Sequence, residues 1–572
     1  MSRRQTVVAF AAWMLCGLMS LAVAGEPPLS AFANTSDVVI RLKNPKQTIE
    51  KAAAMAATTD EKVANMIREN APFIGMLISN PALAGVDQEQ DWLVVAQAKS
   101  DADPAVVFCI PATDAAIMQA ALPEKMKKFA RDGWVFYSED AAAIEALQGS
   151  APSDGGITSK IDSASKQLFD RGDFSVFLNI DHLTEVYKGE IESGSSELSQ
   201  RLARRASILS MIPGMSADSG IEGGTEAGKV ILKDTRAFTS ALVITPNGLN
   251  FETLGQFKPG TATAQAMAGH PGDPLATISR LPEGAVLYVG LSGKLGAKAE
   301  SGLATSASLA EPMDEQQQKL DELKQALASV TYKSFAAALG LGHREEGIVR
   351  LASITEATPT AQVRDFKQSA SELMEVELTG QGIKQESEYK RDAETAAGRP
   401  VDVMTVTTTV DPDVNPFFGG ILTKINLALF GPRGMEMRYS YWDDKILFAL
   451  GGGPEAMEAA VKHVEATSGN GTEPFREGLL EQPNVLVMLD VKRIAYRALK
   501  AASEMEDLNL QIDPKVIGAE EPAPSFIGLT VGTEVDALRS KTQVPSGQLF
   551  RIAELYIYAR MMQQQQRSRP RQ

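Results

Sequence analysis

The sequence predicts an α+β fold of two related halves, each holding two β-α-β-β-α units whose mixed or mainly antiparallel sheets are covered by helices on one face. Three observations predict it. Short β-rich runs that end in a polar residue and lead into a helical pattern recur four times. Strand–turn–helix segments recur in pairs. Hairpin signals fall at matching places in the two halves.

The four recurring segments are "VVIRLKNPKQTI" (38–49), "VFLNIDHLTEV" (176–186), "VLYVGLSGKLG" (286–296) and "VLVMLDVKRIA" (485–495). Their polar residues, Asn44, Asp181, Ser292 and Asp490, are all of types that cap helices, because a side-chain oxygen accepts the unpaired amides of the first turn. An aspartate leaving an apolar strand also resembles a catalytic acid of open α/β enzymes. Recurrence at four equivalent places, with Asn and Ser as substitutes, favours the cap for Asp490. Behind it, Val491, Ile494, Ala495, Ala498 and Leu499 form one helical face; Leu183, Val186, Tyr187 and Ile191 do the same behind Asp181. Pro45 suits the first helical position. Asp181 and Asp490 are each followed six residues later by a tyrosine, Tyr187 and Tyr496.

"DGWVFYSEDAAAIEAL" (132–147) is matched by "DKILFALGGGPEAMEAA" (444–460), each a turn, a strand and an alanine-rich helix. "ALVITPNGLNFETLGQFKPG" (241–260) is matched by 528–547, two strands and a tight turn, and Asn247-Gly248 is a strong hairpin signal. Two further hairpins are expected at 91–111 and 334–354. The halves are then 29–280, with units 29–148 and 156–280, and 281–560, with units 281–465 and 472–560. The first unit reads βαββαβ, the order of a ferredoxin-like split βαβ motif. Gly- and Ser-rich connections lie at 149–159, 193–199 and 213–229, "EEPAPS" (520–525) precedes the last hairpin, and 303–330 should hold a long charged helix.

Residues 1–24 read as a signal peptide. Arg3 and Arg4 precede an apolar run from Val7 to Val23, and Ala22-Val23-Ala24 is a small-x-small cleavage site. Thr6 fits the general secretory route better than twin-arginine export, and Pro27-Pro28 argue against an uncleaved anchor. Cys16 lacks the small residues of a lipoprotein site. The expected location is therefore periplasmic or extracellular, with no membrane span after cleavage, since no later apolar stretch is long enough. Loss of Cys16 leaves Cys109 alone, so no intrachain disulfide is expected and Cys109 reads as a small core residue. The net charge of −16, more negative once Arg3 and Arg4 are removed, disfavours nucleic acid or anionic lipid as a partner. Residues 561–572, "MMQQQQRSRPRQ", read as a disordered basic tail.

Chemistry-bearing patterns are few. "GGGPEAMEA" (451–459) opens a helix after a strand but lacks a phosphate-loop ending; "GLGH" (340–343) lies inside a hairpin. His182, His270, His343 and His463 fall in no H-E-x-x-H, and no C-x-x-C exists. Gly290-Leu291-Ser292-Gly293-Lys294 fails the last position of G-x-S-x-G. Ser163-Ala164-Ser165-Lys166 matches S-x-x-K but has neither S-D-N nor K-T-G beside it. Asp443-Asp444 and Glu345-Glu346 fall at predicted hairpin tips; these and Glu520-Glu521 lack EF-hand spacing. Asn34-Thr35-Ser36 and Asn470-Gly471-Thr472 are sequons relevant only in a eukaryotic secretory pathway. No catalytic, cofactor-binding or metal-ligating residue is assigned.

The strand entry Leu281-Pro282-Glu283-Gly284-Ala285, the strand–cap–helix units and the signal peptide together resemble large exported bacterial proteins of unknown function built from recurring segments. The resemblance implies no catalytic residue. The expectation is a non-enzymatic binding or scaffold protein of the cell envelope whose partner is an unidentified protein or a small apolar ligand. Two alternatives stand beside it: a carrier holding an apolar or lipid ligand between sheet and helices, and a hydrolase using Ser163 or Asp490.

Overall fold

Runs such as "WLVVA" and "VVIRL" place β-branched and aromatic residues consecutively, and Asn, Asp and Gly at their ends turn the chain back, so the runs form antiparallel strands. The computed structural model describes residues 28–99, 103–149, 155–186, 230–293, 327–342, 347–373, 376–378, 382–411, 426–432, 434–466, 471–503 and 520–556, with single positions 188, 319, 322, 325 and 469. Residues 1–24 and 561–572, residues 150–154 of the first connection, the connections 193–199 and 213–229, most of 303–330, Tyr187, Ile191, His343, Glu345-Glu346 and Asn470 lie outside the described residues. The chain divides into two compact units: 1–200 with 222–269 and 533–572, and 201–221 with 270–532.

In the first unit the strands are β1 (Val38–Leu42), β2 (Trp92–Gln97), β3 (Ala105–Pro111), β4 (Lys127–Arg131), β5 (Trp134–Ser138), β6 (Phe174–Leu178), β7 (Thr235–Thr245) and β8 (Gly248–Phe257). Antiparallel pairings order them β4-β5-β3-β2-β1-β6-β7-β8. Its helices include α1 (Pro45–Ala57), α2 (Glu61–Asn70), α3 (Ala115–Ala121), α4 (Ala141–Gln148), α5 (Ser163–Arg171), α6 (Ile180–Val186) and α7 (Ala262–Ala268), and a four-residue helix spans Ile74–Leu77. Both faces of this sheet are buried, contrary to the one-sided cover expected. Ile40, Trp92, Val94 and Tyr137 pack with Ile49 and Met55 of α1; Val39, Leu93, Cys109 and Phe136 pack with Ile144 of α4 and Phe169 of α5. The cause is visible in the strands themselves, which are apolar at successive rather than alternate positions.

The ferredoxin-like order is not met. A split βαβ motif places a third strand between the first two and makes them parallel. Here β1 pairs directly with β2 and antiparallel, Val38 opposite Ala96 and Leu42 opposite Trp92. The excursion through α1 and α2 is long enough to reverse the chain, so it returns beside its own start.

In the second unit the strands are β9 (Leu287–Ser292), β10 (Thr331–Leu341), β11 (Val349–Thr358), β12 (Val376–Leu378), β13 (Ile383–Ala396), β14 (Arg399–Val410), β15 (Met435–Tyr441), β16 (Lys445–Leu450), β17 (Val485–Leu489) and β18 (Ile527–Glu534). All pairings are antiparallel, in the order β12-β13-β14-β15-β16-β11-β10-β9-β17-β18. Helices α8 (Thr360–Glu372), α9 (Gly453–Glu465) and α10 (Val491–Ser503) complete the described elements used below. Met457 and Val461 of α9 close over Tyr288, Ala336, Ile354 and Leu447, while Val363 of α8 packs with Ile446 on the other side.

The last strand, β19 (Ala537–Pro545), departs from the 281–560 boundary. It pairs with β8 of the first unit along its whole length. Leu549 and Phe550, in the helical residues 546–556 that follow, pack against the first unit's apolar cores.

Candidate functional site

Asp490 is fully buried and caps α10: Oδ1 accepts the Arg493 amide at 3.1 Å. Its other oxygen accepts the Ser525 amide at 3.0 Å, so one carboxylate starts a helix and anchors the approach to β18. The remaining three expected caps differ. Asp181 is the second residue of α6 and pairs with Lys258 at 2.7 Å; the residue leaving β6 is Asn179, whose carbonyl accepts the Leu183 amide. Asp181 thus lies two residues beyond the strand exit that Asp490 occupies after β17. Asn44 occupies the cap position of α1 but is left-handed, φ 41°, and makes no side-chain cap bond. Its amide donates to Asp91 Oδ1 at 3.0 Å. Ser292 ends β9 and accepts Asn484 Nδ2 at 3.2 Å; the left-handed residue there is Gly293, φ 54°. What recurs at Asn44 and Gly293 is a backbone conformation, which Asn and Gly tolerate best.

Caps also occur outside these four segments. Asp114, Asp140 and Asp162 accept amides of α3, α4 and α5, respectively. Each directly precedes its helix, a pattern readable from the sequence.

Among titratable groups, one cluster lies between α8 and the β13–β14 hairpin. Asp402, 1% exposed, accepts Arg364 Nε at 2.7 Å and Nη2 at 2.5 Å, Tyr389 Oη at 2.6 Å and the Asp392 amide at 2.8 Å. Tyr389 Oη lies 3.1 Å from Tyr441 Oη. Lys367 Nζ sits 4.7 Å from the centre of the Tyr439 ring and Arg364 lies 5.6 Å from that of Tyr441, geometry that suits cation–π attraction. Burial opposes ionisation of Asp402, but the bonds from Arg364 and Tyr389 outweigh it and hold its carboxyl below the ordinary range. Burial, then the neighbouring carboxylate, pushes the Tyr389 phenol up; burial also pushes Tyr441 up. The carboxylate thus stays ionised with its acceptor sites filled, and both phenols stay protonated. Such a group ties a helix to a hairpin. It has no lone pair left for a substrate proton.

This cluster escaped sequence reading because its members span residues 364–441. The β13–β14 hairpin that assembles it did carry a signal: Ala397-Gly398, both with positive φ, separates the alternating "VDVMTV" run from its partner.

The other patterns fall apart or resolve into structure. Ser163 and Lys166 are both exposed on α5, and Lys166 pairs with Asp170 at 2.7 Å. Gly451 and Gly452 are left-handed, and a side chain at Gly451 would meet the Val349 carbonyl at 2.1 Å, so the glycine lets the chain leaving β16 pass close to the start of β11. His182 Nδ1 lies 2.6 Å from Asp37, the His270 carbonyl accepts Asn484, and His463 is half-buried on α9. Asp443-Asp444 form the β15–β16 turn, and Glu521 binds Arg493 and Arg497, each at 2.8 Å. Cys109 is fully buried, and burial raises its thiol well above the ordinary value despite Arg131. Among the described residues no group of three or more His, Cys, Asp or Glu is placed to hold a metal, and no helix is long and apolar enough to cross a membrane.

Between the first unit's sheet and the segment Ile74–Leu77 lies an apolar cavity of about 10 Å³, lined by Ile40, Leu42, Ile74, Ile78, Trp92 and Val94. That is about the space of one water and far below an acyl chain. On the outer side of the same helical arm, Met66 and Phe73 are each 58% exposed and Met76 is 53% exposed. They belong to three successive elements, α2, the 3-10 turn Ala71–Phe73 and the short helix Ile74–Leu77. Comparison with protein-family profiles, curated proteins and solved structures found no match.

Proposed function

We propose that the chain is an exported, non-enzymatic binding or scaffold protein of the cell envelope, built from two copies of one α+β repeat. The observation that carries the binding reading is a contrast. The Asp402 cluster is saturated by its own neighbours, whereas Met66, Phe73 and Met76 stand in solvent along one run of successive helical elements, 61–77. The partner class that suits such exposed apolar side chains is a protein. The periplasmic or extracellular location rests on residues 1–24.

The two-copy reading is supported strand by strand. The order β4-β5-β3-β2-β1-β6-β7 corresponds to β15-β16-β11-β10-β9-β17-β18. Bonds correspond as well. The Asn179 amide donates to Asp37 at 2.7 Å and the Asp490 amide to Val286 at 2.8 Å; the Lys43 amide donates to Asp173 at 2.8 Å and the Ser292 amide to Asn484 at 2.9 Å.

The test is affinity capture from the native envelope with wild-type protein and with a Met66→Asp, Phe73→Asp, Met76→Asp variant. We expect specific proteins on the wild type and at least tenfold less on the variant, with unchanged circular dichroism. Equal capture by both, or none by the wild type, would sink the reading.

A further inference from the structure

Strands β8 and β19 pair in a register centred on one residue pair. Gly248 faces Pro545, Gln256 faces Ala537 and Glu252 faces Lys541. Each strand follows a tight turn, Asn247-Gly248 and Asp536-Ala537, and counted from those turns Glu252 and Lys541 are both fifth. Every residue of β8 therefore faces the counterpart of the residue it would face across a two-fold axis through the central pair. The end bonds obey the same rule. The Phe257 amide donates to Asp536 at 2.8 Å, and the Ser546 amide, its counterpart, donates to Asn247 at 2.8 Å. The following elements reciprocate too: α7, after β8, lies against β19, while Leu549, after β19, joins the core that holds Leu249 and Phe251 of β8.

Self-complementarity of this kind is the property of a contact between identical subunits. We propose that the edge of β8 is a self-recognition surface whose partner is a second copy of the same repeat, a place that β19 fills in the intact chain. The proposal rests on the two-copy reading and is independent of the binding reading. Its central pair has diverged to favour β19. Two copies of β8 would set Glu252 against Glu252; in the intact chain it faces Lys541 and pairs with Arg171 and with Arg539.

The test uses the full chain. The Phe257–Asp536 bond marks a hydrogen-bonded pair, so Glu252 and Lys541, five positions along, form the closer, non-bonded type that suits a disulfide. Glu252→Cys with Lys541→Cys should give an intrachain disulfide under mild oxidation, Cys109 being buried. Glu252→Cys with Thr542→Pro, which removes the amide that the register turns towards Phe251 of β8 and so unseats β19, should give a dimer of twice the mass, linked 252 to 252. Glu252→Cys with Leu549→Asp, which removes an apolar side chain that seats the segment after β19 without blocking its backbone, should give the same linked dimer at higher protein concentration. Failure of the intrachain bond overturns the register. Monomers, or aggregates without the 252–252 bond, from both released variants overturn the self-recognition while leaving the repeat correspondence in place.

Discussion

Asp490 illustrates how a buried carboxylate is used when it is not a catalyst. Its two oxygens take amides from residues on either side of it in space, Arg493 and Ser525. Asp490→Ala removes both acceptors and should lower stability by about 2 kcal/mol, read by urea denaturation. A change below about 0.3 kcal/mol would contradict the cap. Asp402 allows a pH experiment. Its folded-state affinity for protons is depressed, so its contribution is present above the ordinary value of 3.8 and is lost as pH falls below it. The stability gap between wild type and Asp402→Asn should therefore be full at pH 7 and narrow as pH falls from 4 to 2, measured by denaturant titration. A gap independent of pH would show that the carboxylate charge contributes nothing. At this scale much was legible, since the type of residue before a helix announces a cap. The exact position was not, because Asn179 and Asp181 are both capping types two residues apart and only the strand's end chooses between them.

Elements follow local pattern until distant chain intervenes. The hairpins β2–β3, β7–β8 and β10–β11 form where turn chemistry and apolar runs predict them. Burial on both faces of the first sheet was also legible in "WLVVA", whose consecutive apolar residues do not suit a half-exposed strand. The Asn247-Gly248 turn has a second duty: a Cβ at Gly248, φ 146°, would meet the Val544 carbonyl at 2.1 Å. Gly248→Ala should destabilise the first unit by about 2 kcal/mol or more and raise hydrogen exchange along 249–257. Unchanged protection of those amides would show that β19 does not press on the turn. The β13–β14 hairpin marks the limit of pattern reading. Exposed charges along β13 mask its alternation, and Asp402 acquires meaning only when α8 brings Arg364 to it.

For the whole molecule, export and division into units are separate questions. If residues 1–24 are removed on export, the N-terminus of protein recovered from the envelope should be Gly25, a result N-terminal sequencing decides; retention of Met1 would count against the cleaved signal. The α+β class and the hairpins β2–β3, β7–β8 and β10–β11 were determined by the sequence, because each depends on residues within a turn or a strand of one another. The direct β1–β2 pairing, the assembly around Asp402 and the seating of β19 on β8 were decided only by tertiary structure. Hydrogen-bonded edges and buried charges choose partners by proximity in space, and nothing in a local pattern records which distant edge or charge that will be.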